Sequence, residues 1–265
     1  MRTQPQVVMN WQEISGNWIL VPPNPTAIVH FLGGAFVAAA PSVTYQWLLE
    51  NLARQGYIIV ATPFINTFDH TVIAQEVLVT FDQALRYLDK RVLANYGSLP
   101  IYGLGHSMGC KVHLLINCLW KVERVGNIYM SFNNYPARRS IPFLEQAAQF
   151  SPAFNVEFTP DPETTLALVR DRYSVAHNLL IKFRSDTIDQ TRPLSEVLVR
   201  RFAERTTVQL LQGSHTTPIA QEFSWQPGTS FSPLDALGQF VQQEFYRDLN
   251  RLRRNLLAWL NTPPY

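Results

Sequence analysis

The feature that most constrains this chain is the stretch "LPIYGLGHSMGCKVHLLI", residues 99–116, where an apolar β-like run passes into an apolar helical pattern through Gly105-His106-Ser107-Met108-Gly109. A turn that carries a strand directly into a helix strains its central residue and crowds its neighbours against both elements. Glycines two before and two after the serine remove the side chains that would clash. Alone the G-x-S-x-G pattern is weak, since with Gly and Ser each at about 7% it arises by chance in roughly one chain in ten of this length. Its place at a strand-to-helix junction gives it weight. The first N–H groups of that helix lack intrahelical partners and lie beside the serine, where they can bond an oxyanion. Ser107 is therefore the candidate nucleophile, and the Met108 N–H a candidate oxyanion donor.

A nucleophilic serine needs a base, and the base needs an orienting acid. Of the six histidines, His215 ends "TVQLLQGSHTTP", where an apolar run stops at Gly213 and a loop begins. A histidine so placed reaches across the end of a sheet. His30 lies inside an apolar strand and His113 six residues into the helix after the turn, so both read as packed structural residues. His70 and His177 flank loops and stay open as alternatives. His106 adjoins the serine, but neighbours on a sharp turn point their side chains apart. For the acid, "NLLIKFRSDTIDQT" offers Asp186 and Asp189 just after a strand. Asp186 comes first after the apolar run and is preferred; Asp189 is placed to cap the next turn. A second oxyanion donor is expected after the strand "VHFLGGAFVAAAP", from the amide of Gly34 or Ala35 in Gly33-Gly34-Ala35-Phe36. Phe36, His106, Phe132 and Tyr135 are the candidate residues of a substrate pocket.

Short β-rich runs alternate with longer helical patterns along the 265 residues, the signature of a mostly parallel sheet with helices on both faces. "QVVMNW" and "NWILVPP" are expected as an antiparallel pair of opening strands. The segment from about 135 to 177 loosens into Pro- and Phe-rich sequence, including Phe143, Phe150, Phe154 and Phe158, with two short helical pieces. It reads as a lid-like insertion into one domain spanning 1–265. A net charge of +2, from 22 Lys+Arg against 20 Asp+Glu, gives no reason to propose nucleic acid as a partner. "MRTQPQVVMNW" has no apolar stretch of signal-peptide length, and no run approaches the roughly 18 to 20 apolar residues of a membrane span. The expectation is a soluble, cytoplasmic protein. Cys110 and Cys118 lie eight positions apart in one helix, too far to bridge, and read as buried thiols. The final helix carries Arg247, Arg251 and Arg254 on one face and Leu249, Leu252, Leu256 and Leu260 on another. Packing on the sheet with solvated arginines is preferred over contact with an anionic membrane surface.

Over essentially its whole length the chain resembles the α/β-hydrolases. More narrowly, "HFLGGAFVAAAPSVTYQWLLENLA", "GHSMGCKVHLLI", "NLLIKFRSDTIDQT" and "GSHTTP" resemble an uncharacterised α/β-hydrolase-like family of cyanobacteria and plant plastids. The broader resemblance implies the fold, with Ser107 as nucleophile, His215 as base and Asp186 as acid; their order Ser…Asp…His is that of α/β-hydrolases. The narrower one implies no substrate. The pattern departs at Leu32-Gly33, where many relatives carry His-Gly. Relatives with an aspartate nucleophile open epoxides or remove halides, so a serine implies acyl transfer to water from an ester or thioester. No phosphate-cradling or metal-ligand motif appears, and no cofactor or metal is expected. Two rivals stand beside the hydrolase: a non-catalytic member of the fold that binds a lipid, pigment or protein, and an acyltransferase using the same three residues. Oligomeric state is not legible.

Overall fold

The computed structural model describes residues 9–35, 37–140, 157–220 and 233–262. Eight strands form one sheet in the order β1-β2-β4-β3-β5-β6-β7-β8, and the chain has the α/β-hydrolase fold. β1 (Gln12–Ile14) and β2 (Asn17–Leu20) make an antiparallel hairpin at one edge. Its turn residues Ser15 and Gly16 both have positive φ, as a two-residue hairpin turn demands. That turn sets the register, so the opening strand is Gln12–Ile14 and not the expected 6–11, of which 6–8 lie outside the described residues. β2 runs antiparallel to β4 (Tyr57–Ala61). From β4 through β3 (Ala27–Leu32), β5 (Ile101–His106), β6 (Gly126–Met130), β7 (Asn178–Phe183) and β8 (Thr206–Leu211) all pairings are parallel.

The helices are α1 (Pro41–Thr44), α2 (Gln46–Ala53), α3 (His70–Arg91), α4 (Met108–Leu119), α5 (Ala137–Ser140), α6 (Pro162–Arg172), α7 (Thr191–Arg201) and α8 (Pro233–Leu260). Period-two alternation in the strands divides the core between the two faces. Val29, Phe31, Tyr102, Leu104, Ile128, Met130, Leu179 and Ile181 pack with α2 and α8, whose Leu249, Leu252, Leu256 and Leu260 are buried. The arginine face of α8 pairs locally, Arg247 with Glu244 at 2.9 Å and Arg251 with Asp248 at 3.6 Å. On the other face Leu32 packs with α3 and α4, and Tyr129 and Leu180 with α4, α6 and α7. Cys110 and Cys118 are both buried, unbridged thiols.

The segment expected as a lid divides. Residues 141–156, with Phe143, Phe150 and Phe154, lie outside the described residues. Its second helical piece, α6, buries Val169 against Cys110, Leu114 and Tyr129 and so belongs to the helical layer beside α4.

β5 explains the close seat of α4. Alternation turns Gly103 and Gly105 toward the helix, and a Cβ at Gly105 would stand 2.7 Å from Cys110 Cα. One turn later, a Cβ at Gly109 would enter the carbonyl of Leu32 on the neighbouring strand. Gly109→Ala therefore forces α4 off the sheet and is expected to cost about 3 kcal/mol or more, read as a lowered urea midpoint. A variant within 0.5 kcal/mol of the unaltered chain, the range of ordinary surface changes, would contradict the packing.

Candidate active site

The turn between β5 and α4 holds Ser107 at φ 55°, ψ −120°. A non-glycine residue in this region costs roughly 1 to 3 kcal/mol and persists only where its surroundings impose it. Here they do. The Ser107 N–H donates to the Met130 carbonyl of β6 at 2.9 Å, and its own carbonyl accepts from Cys110 N–H at 3.1 Å. The hydroxyl is left facing outward at the C-terminal ends of the parallel strands, where open α/β sheets place their sites.

His215 lies in the loop after β8, and its Nε2 stands 3.0 Å from Ser107 Oγ. Its Nδ1 stands 2.8 Å from Asp186 Oδ2, in the loop after β7. The His215 side chain is 20% exposed and that of Asp186 0%. Burial alone pushes the Asp186 carboxyl up; the hydrogen bond and charge of His215, the nearby Ser131 hydroxyl and the Ile188 N–H outweigh it and hold it below the usual carboxylate range. Ile188 N–H reaches Asp186 Oδ1 at 3.0 Å. Asp189 points elsewhere. It accepts from Thr191 N–H at 3.1 Å and Thr191 Oγ1 at 2.7 Å, opening α7, and pairs with Lys182 at 3.0 Å. The expected alternatives are thus separated by geometry: Asp186 faces the histidine, and Asp189 faces Thr191 and Lys182.

The loop after β3 borders the serine, since a Cβ at Gly34 would lie 3.2 Å from Ser107 Cβ and 3.3 Å from His106 Nδ1. Its two amides differ. The Gly34 N–H donates to Tyr45 Oη at 2.9 Å, which removes Gly34 as an oxyanion donor and corrects that expectation. The physical reason is burial: an amide enclosed under Tyr45 takes the hydroxyl as its acceptor. Among the described residues neither the Ala35 N–H nor the Met108 N–H donates a hydrogen bond. Both therefore stay available as the expected oxyanion donors.

The pocket expectations fare unevenly. Phe36 lies outside the described residues. Tyr135 is half-buried beyond β6. Phe132 does not line the site: it is wholly buried with Cys110, Leu114 and Leu194 on the α4 side of the sheet. Ser131 has φ 50°, which breaks the strand's alternation and turns Phe132 inward while bringing Ser131 to Asp186. His106 does not line a pocket either. It is 1% exposed, with Nδ1 2.7 Å from Tyr45 Oη and Nε2 2.8 Å from the His215 carbonyl.

The remaining histidines are packed residues. His30 stacks on Phe81 at 3.8 Å, accepts from Arg124 at 3.1 Å and reaches Thr62 Oγ1 at 3.0 Å. His113 Nε2 donates to the His30 carbonyl at 3.1 Å. His70 packs on Phe158 and His177 on Trp259. Sequence reasoning missed Tyr45 and Ser131. Tyr45 sits in "PSVTYQWLLENLA" at a spacing that reads as core, and a serine one residue past a strand carries no signal of its own.

Among the described residues no group of three or more His, Cys, Asp or Glu could hold a metal ion, and no helix is long and apolar enough to cross a membrane. A family described as "Protein of unknown function (DUF1350)" matches residues 10–262. No curated protein matches the chain in sequence. In solved structures the chain is similar to a soluble variant of monoglyceride lipase from Saccharomyces cerevisiae in complex with a substrate analogue, at 14% identity and TM-score 0.62, covering 99% of this chain and 98% of that one. It is similar to the Pyrococcus furiosus esterase Pf2001, at 16% identity and TM-score 0.54, with coverage of 93% and 91%. Carboxyl esterase 2 from the mycorrhizal fungus Tuber melanosporum gives 14% identity and TM-score 0.53, with coverage of 91% and 87%. At these identities the likeness shows the fold.

Proposed function

We propose that this chain, which belongs to the DUF1350 family of proteins of unknown function, is a serine hydrolase that cleaves an ester or thioester of an apolar acyl group through an acyl-enzyme. The observation that carries the reading is the unbroken line Asp186 Oδ2–His215 Nδ1, 2.8 Å, and His215 Nε2–Ser107 Oγ, 3.0 Å, ending on a serine held in a strained turn.

In this reading Ser107 Oγ attacks the acyl carbonyl as His215 Nε2 takes its proton. Asp186 holds Nδ1–H, fixes the tautomer and stabilises the imidazolium. The carbonyl oxygen, now negative, bonds the Met108 and Ala35 N–H groups. His215 returns its proton to the departing alcohol or thiol, and the bond to it breaks. Water, deprotonated by the same nitrogen, then releases the acid and restores the Ser107 hydroxyl. The esterase and lipase names of the similar structures favour an ester substrate. The apolar acyl class rests on the Phe- and Pro-rich composition of the segment from 135 to 177. The test is a series of p-nitrophenyl esters and acyl thioesters of increasing chain length, with fluorophosphonate labelling read by mass. Turnover with the label on Ser107 is expected; an unlabelled serine and no turnover across the series would favour the non-catalytic rival.

A further inference from the structure

We propose that Tyr45 and His106 are a positioning pair that locks the Gly34–Ala35 loop and the His215 loop into one frame around Ser107. The inference rests on the hydrolase reading and assigns two residues outside the Ser107–His215–Asp186 line.

Three hydrogen bonds join the loops, and the chemistry at each end gives every proton one place. The Gly34 amide can only donate, so at 2.9 Å Tyr45 Oη accepts from it. The His215 carbonyl can only accept, so at 2.8 Å His106 Nε2 must carry a proton and donate. A neutral imidazole protonated at Nε2 has a lone pair at Nδ1, and the Tyr45 hydroxyl donates to it at 2.7 Å. The chain therefore runs in one direction, from Gly34 N–H through Tyr45 O–H and His106 Nε2–H to the His215 carbonyl. Both intermediates are enclosed in their required forms. Burial, then the neighbouring His215, pushes His106 down to about 3, and burial lifts the Tyr45 phenol well above its usual range.

The pair is itself held rigidly. The Tyr45 ring packs on Phe31 with centroids 4.6 Å apart, and a Cβ at Gly33 would stand 2.8 Å from it. His106 ends β5, one residue before the serine. What the frame positions follows from covalent geometry. Anchoring the Gly34 N–H aims the next amide, the open donor of Ala35. Anchoring the His215 carbonyl holds the main chain of the base, whose ring Asp186 holds from the other side. Without the tyrosine hydroxyl, the Gly34 N–H loses its acceptor and His106 Nδ1 its donor, so the loop after β3 is no longer tied to the His215 loop.

The test compares kcat, KM and thermal midpoint for an acyl ester among the unaltered chain, Tyr45→Phe, His106→Gln, His106→Leu and the double variant Tyr45→Phe/His106→Leu. Tyr45→Phe keeps the packed ring and is expected to lower kcat about 10- to 100-fold with KM little changed, as loss of an orienting partner does. The side-chain amide of His106→Gln offers an acceptor and a donor across the same gap and should retain most of the turnover, whereas His106→Leu should not. The double variant should be no slower than the slower single one, because both break one chain. Full kcat in Tyr45→Phe overturns the proposal. So does a loss that merely follows the unfolded fraction at the assay temperature, or two losses that multiply in the double variant. An unaltered chain with neither turnover nor labelled Ser107 overturns the hydrolase reading itself, and this inference with it.

Discussion

Ser107→Ala is expected to abolish hydrolysis of any ester the unaltered chain turns over, by about 10⁶-fold in kcat, while leaving the thermal midpoint nearly unchanged. The two halves of that expectation have different origins. The hydroxyl is the group that would form the acyl-enzyme, so no partial compensation by His215 or Asp186 remains once it is gone. The backbone is indifferent to the change. Alanine at φ 55° carries the same Cβ as serine, and the main-chain bonds that impose the turn, Ser107 N–H to Met130 and Cys110 N–H to Ser107, use no side-chain atom. Half-buried, the site tolerates the loss of one oxygen. The fluorophosphonate adduct should vanish with the activity. Retained turnover in a folded Ser107→Ala protein would move the nucleophile away from the turn or remove it altogether.

Why so much of this site is legible before any coordinate lies in the local character of its constraints. Gly105 and Gly109 are demanded by the approach of α4 to β5 and β3, a clash that acts within a few residues of the serine. The placing of His215 and Asp186 follows from parallel strands, which deliver every following loop to one end of the sheet. Apolar neighbours within one element, the strand β3 for His30 and the helix α4 for His113, are why both read as packed residues. What escaped depends on distance in sequence. Tyr45 is an aromatic ring at helical spacing, and nothing nearby shows that its hydroxyl meets His106, 61 positions on. Phe132, expected with its aromatic neighbours to line a pocket, is turned into the core after one left-handed residue, Ser131. The Gly34 amide was a fair donor until Tyr45 closed on it. Those are tertiary facts, and no window of sequence carries them.

Asp186→Asn is expected to lower kcat by about 10⁴-fold, and Asp189→Asn to leave it nearly unchanged. Both carboxylates are buried, both follow β7 and both accept backbone N–H bonds, so composition and burial do not separate them. Direction does. An amide at 186 can turn its NH₂ toward Nδ1 of His215, which drives the ring proton to Nε2 and takes away the lone pair that should receive the Ser107 proton. At 189 the bonds lead to Thr191 and Lys182, so the loss falls on the start of α7, at about 0.5 to 2 kcal/mol of stability. Acid titration gives a second, independent reading. The Asp186 carboxyl lies below its usual range when folded, held there against burial by His215, Ser131 and Ile188. Its contribution to stability is therefore full above the unfolded carboxyl's pKa of about 3.9 and is lost as pH falls through the lower folded value. Asp186→Asn should flatten that acid limb in unfolding measured against pH. If instead Asp189→Asn proves the slower enzyme, the acid of the proposed triad is Asp189 and the 2.8 Å contact between Asp186 and His215 is structural.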